Sequence, residues 1–337
     1  MRLSANILLE KKEQTWEQFQ ERVRLECDIE TETQMMRRFF LQTSSIDVQK
    51  KGLEFLYMNG FYDDLQLLIK INQQSDYTSN RNWARIYQIL LDTKSGQYSP
   101  EELLQQLEQL HTQETEVLCL KEFAKINIYY NRNQYNEFGN FLNTIEQLFL
   151  MIDDYFLLDY FKLRISQIYF VYSLMKNELI IARKYGYKVL TLTKSPSIQV
   201  DAHIKLGLSY TFDSYSQGIY HLEQALKIAK KHHLTEKIYL IEQRNIPFLS
   251  AKFKKVENIS TNDISEQAHI EIAKGNDEKA VELLEDVSLD TPFRLYYMGK
   301  AKGDRNLLIR AYKEFIHERG DYFFSRLPLD ELRKIYI

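Results

Sequence analysis

Apolar residues recur at spacings of three and four through most of this chain, and short polar stops interrupt the runs. The clearest run is 219–231, where Leu222, Ala225, Leu226 and Ala229 fall on one face of a helix. Ala225 and Ala229 would let a neighbouring backbone approach closely. The stops share a form: an apolar helix ends at Gly or Asn, a polar turn follows, and a second periodic helix begins. They centre on Gly60, Gly96, Asn133, Asn177, Asp213, Gly275 and Gly303. After Gly96, Ser99 is a natural cap and Pro100 a natural first helical residue.

The first five joints are separated by 36, 37, 44 and 36 residues, and intervals of 62 and 28 follow. Most of these match one helical hairpin with its connections, and the 62 has room for a joint whose signal has faded. One hairpin cannot bury its apolar face alone, whereas stacked hairpins share a core. The expected fold is all-α, a superhelical stack of degenerate tetratricopeptide-like hairpins. Residues 1–55 read as a helical cap or linker remnant, 56–257 as a ligand-binding body, and 258–337 as terminal repeats with a dimerisation segment. The stretch 245–267 is the least periodic and places the second boundary, as either a bent helix pair or an interdomain connection. "SPSIQV", 195–200, marks a connection between hairpins, and Asp153 and Asp154 mark a polar turn between two apolar helices.

Composition supports helices over sheets, because only 11 Gly and 5 Pro punctuate 337 residues. The 23 Tyr and 19 Phe suit either the gaps between helices or the wall of a groove. Cys27 and Cys119 lack the spacing of a zinc site or disulfide framework. The apolar region 148–175 is broken by Asp153, Asp154, Asp159, Lys162 and Arg164, which does not suit a membrane span. The N-terminus lacks the pattern of a signal peptide. A soluble cytoplasmic protein is expected. Net charge is -3, and the best basic cluster, 251–255 with Lys227, Lys230 and Lys231, reads as a solvated face.

Little here suggests catalysis. His232 and His233 sit where they would finish a basic helix, and no HExxH, P-loop, GxGxxG or Gly-x-Ser-x-Gly pattern occurs. No enzyme activity, metal or cofactor is expected. Binding is better supported, since the first helices of stacked hairpins can offer polar and aromatic residues to an extended guest. Tyr129, Tyr130, Gln167, Tyr169, Lys205, Ser209 and Tyr210 are the candidates by placement, with interhelical packing as the alternative for each tyrosine. Arg164 and Lys205 add cations suited to a carboxylate.

The segments "QAHIEIAKGNDEKAVELLEDVSLDTPFRLYYMGKAKGD" and "FFSRLPLDELRKIYI", with "FKLRISQIY" and "HIKLGLSYTFDSYSQGIYHLEQALKIAKK" before them, resemble the arbitrium receptors of Bacillus phages. The resemblance implies a dimeric, peptide-responsive regulator of lysogeny, with a helix-turn-helix that binds DNA. It places the start of this chain after most of that helix-turn-helix, so DNA binding through Lys11, Lys12, Arg22, Arg24, Arg37 and Arg38 is doubtful. It also places Val171 and Leu208 where the family carries groove asparagines that hold the ligand backbone, and neither side chain can donate or accept. A short peptide or protein segment is the expected guest. The end of the chain, with Phe323, Phe324, Leu327, Leu329, Leu332, Ile335 and Ile337, resembles the family's dimerisation end. It would pair two protomers, or cap its own stack. Association with a complete relative or a host regulator is a further expected route of output.

Overall fold

The computed structural model describes residues 15–335, the side chain of Ile335 excepted. Among these the secondary structure is helical with no strand, as the joint spacing predicts. The chain forms two compact units, one of residues up to Asn131 with Phe141–Lys162, the other of Arg132–Asn140 with Leu163–Ile337. The expected boundary near 258 falls inside the second unit.

The first unit holds α1 (Trp16–Glu26), α2 (Ile29–Gln42), α3 (Ile46–Asn59), α4 (Tyr62–Gln73), α5 (Thr78–Ser95), α6 (Pro100–Glu108), α7 (Thr115–Asn131), most of α8 (Gly139–Phe149) and the start of α9 (Tyr155–Met175). Its helix starts follow local chemistry. Thr15 and Gln18 form a capping box, Asp28 accepts from the Thr31 N–H at 2.9 Å, and Ser99 with Glu102 forms a second box ahead of Pro100. Trp16 packs on Phe40 at 4.7 Å and Phe156 at 5.1 Å, and Phe19 stacks on Phe39 at 4.2 Å. Here the aromatic surplus fills gaps between helices. Two buried amides tie α3, α4 and α5 together: Asn80 donates to Asn72 Oδ1 at 2.7 Å and to the Ile46 carbonyl at 2.8 Å.

The second unit continues with a 3-10 turn (Tyr135–Phe138), the rest of α9, α10 (Leu179–Leu192), α11 (Pro196–Leu208) and α12 (Tyr215–Lys231). Next come α13 (Thr235–Leu240) and α14 (Ile246–Lys252), joined by a wide five-residue turn, then α15 (Ile264–Lys274), α16 (Asp277–Glu285), α17 (Pro292–Lys302), α18 (Arg305–Lys313) and α19 (Arg326–Ile335). The irregular 245–267 stretch is thus a bent helix followed by the connection 253–263.

Six of the seven joints are left-handed: Gly60, Gly96, Asn133, Asn177, Gly275 and Gly303 have φ between 57° and 87°. Asp213 is not among them, and there Ser214 caps α12 by accepting from the Gln217 N–H. The long 62-residue interval contains left-handed His233, Lys254 and Asn258, and His233 follows the end of α12 as the other joints follow their helices. His232 is the C-cap of α12, in keeping with its position.

α11 and α12 make the closest pair. A Cβ on Gly207 would lie 2.9 Å from the Gly218 carbonyl, so the two backbones touch where both residues lack side chains. Beside that crossing, Val200, Ile204, Ala225, Ala229 and Ile241 form a closed apolar cluster.

Candidate ligand-binding face

α9, α10 and α11 are consecutive, and α10 sits against both neighbours. A Cβ on Gly186 of α10 would meet the Phe170 ring at 2.8 Å and Leu206 at 2.7 Å. Arg164, Gln167 and Val171 follow one stripe of α9 at spacings of three and four, and Lys205 and Leu208 follow one stripe of α11. These two stripes are the candidates that lie on α9 and α11 within the second unit. Arg164 and Val171 are buried, at 6% exposure each, while Gln167, Lys205 and Leu208 are half-buried. Arg164 and Lys205 both make interactions within the chain.

Tyr169 stacks on Tyr185 of α10 at 4.9 Å, and in the first unit Tyr129 stacks on Phe141 at 5.8 Å, with Tyr130 exposed. Tyr210 is stacked on His221 of α12 and lies under the Arg183 guanidinium, 3.8 Å from ring centre to Cζ. Ser209 is fully buried; its hydroxyl donates to the Leu206 carbonyl at 2.7 Å and accepts from Arg183 Nε at 3.1 Å. Ser209 and Tyr210 therefore finish α11 and fasten it to α10 and α12. Leu208 also packs against the apolar cluster of α11 and α12, which explains why an aliphatic residue is tolerated there.

Sequence reasoning missed the polar group behind these residues. His203 Nδ1 lies 3.1 Å from His221 Nδ1, and His221 Nε2 lies 3.1 Å from the Tyr187 hydroxyl. Burial holds both imidazoles below their usual range, and His203 helps push His221 down to about 4. The histidines come from different helices, 18 positions apart, so no spacing motif marks them.

Four of the seven dimerisation candidates pack inside the chain. Phe323, Phe324, Leu327 and Leu332 are buried within the chain, and Leu329 is half-buried. These four side chains lie inside the second unit. The Ile335 side chain and Ile337 lie outside the described residues. Of the candidate DNA-contacting cations, Arg24 lies 3.7 Å from Glu32, Arg37 is paired with Asp64, and Lys11 and Lys12 lie outside the described residues. No helix among the described residues is long and apolar enough to cross a membrane.

A family model described as AimR transcriptional regulator-like matches residues 32–334. The AimR transcriptional regulator of Bacillus phage SPbeta is 23% identical over 321 residues, covering 90% of this chain and 81% of that protein. That of Bacillus phage phi3T is 24% identical over 324 residues, covering 91% and 82%. A solved phAimR–ligand structure superposes with a TM-score of 0.78 at 19% identity, covering 90% of this chain and 92% of that one.

Proposed function

The chain belongs to the AimR transcriptional regulator-like family, and from that membership we propose a regulatory binding protein of a phage or mobile element. A short peptide or a protein segment lies along α9 and α11, and its arrival biases the conformation that the chain presents to a partner. The observation that carries this reading is the pair of stripes on consecutive first helices, with Arg164, Gln167 and Lys205 among aliphatic neighbours. The likeness of the fold to a phAimR–ligand structure supports it. With Val171 and Leu208 on the same stripes, the guest's peptide groups are held by fewer side-chain amides. Each unsatisfied group costs on the order of 1–3 kcal/mol, so the guest is selected by its charge and side chains more than by its backbone.

Affinity capture from the native host, with mass spectrometry of peptides as well as proteins, tests this. One short peptide, recovered with the parent chain and lost with Gln167→Ala and Lys205→Ala, is the expected result. Reproducible recovery of a regulator alone would point to an adaptor working through a second protein. Recovery of neither removes the proposal. The relatives' description as transcriptional regulators favours a second reading, direct operator binding. A gel shift against the chain's own upstream region at low and raised salt decides that one, and no shift at low salt rejects it.

A homodimer is part of this reading, formed through the half-buried side of α19 that carries Leu329. The rings already buried on its inner side take no part.

A further inference from the structure

The segment between α18 and α19 touches parts of the second unit that are far apart in sequence. The Tyr135 N–H donates to the Arg319 carbonyl at 2.8 Å. Gly320 has φ +66° and lies so close to Asn136 that any Cβ would overlap its side chain. The Tyr322 N–H donates to the carbonyl of Met175, the last residue of α9, at 2.8 Å, and Lys176 Nζ lies 4.9 Å from the centre of the Tyr322 ring. Phe323, fully buried, meets the Phe212 ring edge-on at 5.2 Å, four residues past the end of α11. Arg326 makes contact at both ends: Nη1 donates to Asn177 Oδ1 at 3.4 Å, and Cζ lies 4.1 Å from the centre of the Phe212 ring.

Two of these anchors are special. Met175 lies one helical turn beyond Val171, and Phe212 one turn beyond Leu208. The helices that carry the candidate ligand stripes are the ones whose ends this segment holds. On its other side, Phe324 packs edge-on against Phe248 of α14 at 5.8 Å and lies 5.1 Å from Phe293 of α17. Glu331 of α19 pairs with Lys300 of α17 at 3.1 Å.

We propose that residues 319–326 are an internal strap that fixes the ends of α9 and α11 relative to each other and carries any change in their spacing to α14, α17 and α19. Helix shifts in allosteric transitions are about 1–2 Å at subunit interfaces, and a guest on α9 and α11 is taken to move them by a similar amount. A bond of 2.8 Å is lost once it stretches past about 3.5 Å, so a slide of that size at the α9 end breaks the Tyr322–Met175 bond unless the strap moves with α9 and shifts on the Phe212 ring. It either holds the two helices in register or lets one go, and these are the two discrete arrangements that coupling needs. Arg326 is its positioning residue, because its side chain touches Asn177, just past α9, and Phe212, just past α11. The regulatory half of this inference rests on the binding function proposed above; the grip on the two helix ends does not.

Hydrogen–deuterium exchange on the full chain tests it without a ligand, with circular dichroism confirming that each variant is folded. Lys176→Ala touches the strap only from the α9 side. It is expected to speed amide exchange several-fold at 208–213, across the strap, as well as at 172–177. Arg326→Ala is expected to speed exchange at both places. A change confined to 172–177 in the first variant, or no change at either end in the second, overturns the strap. If coupling holds and capture recovers nothing, the strap stands and the ligand reading falls. If capture succeeds and coupling fails, the guest acts by another route.

Discussion

Asp321 is 3% exposed and accepts from the Phe324 N–H at 2.8 Å. Burial pushes its carboxyl up to about 7. A carboxyl raised in the folded chain binds its proton more tightly there than when unfolded. Its contribution is therefore fully present below about 4 and drains away as pH rises through about 7. Asp321→Asn keeps an acceptor for Phe324 and removes the charge. The variant is expected to match the parent near pH 4 and to exceed it at pH 8 by roughly 2–4 kcal/mol, read from urea melts at both pH values. A difference independent of pH would refute the assignment. The His203–His221 pair has the opposite sign. With both imidazoles held below 6.5, and His221 down to about 4, their contribution is present above about 6.5 and lost as pH falls through 4. Tyr187, Tyr210 and Arg183 surround the pair, and none of them supplies an anion to offset a second proton. His203→Gln should flatten the loss of thermal stability between pH 7 and pH 5; an unchanged slope would exclude the pair as its source.

At the scale of the element, the α11–α12 hairpin depends on small residues at its crossing. Ala225 is fully buried in the apolar cluster. Ala225→Glu both overpacks that contact and strands a charge, and a loss of more than about 3 kcal/mol is expected. An unchanged melting temperature would mean that the helix is rotated from this register. Gly207→Ala is the milder test, with an expected loss of about 1–3 kcal/mol, because its new Cβ would press on the Gly218 carbonyl and on Leu222. Ala225 was identifiable from its spacing of three and four within one helix. The role of Gly207 was not, because nothing in its own helix announces a second glycine lying across from it.

At the scale of the whole molecule, the proposed dimer is tested by light scattering, with the mass of two chains expected at micromolar concentration. Leu329→Arg, on the half-buried side of α19, is expected to halve that mass while helicity stays constant. A parent that runs as one chain rejects the dimer. Ending the chain at 320 would not separate the possibilities, because it removes Phe323, Phe324 and Leu327 from the interior.

Helix-by-helix periodicity, and the need for a left-handed residue after each first helix, are local. They specified the all-α class and six of the joints, since each depends on residues within a turn or two of one another. Which aromatic rings face a neighbour is different. The packing of Tyr169, Ser209 and Tyr210 was not legible in sequence, because their partners, Tyr185, Arg183 and His221, lie on other helices. The strap is the extreme case: Arg319 meets Tyr135, and Arg326 meets Asn177 and Phe212, across more than a hundred positions. Contacts of that range leave no periodic trace in a chain, and only the packed structure decides them.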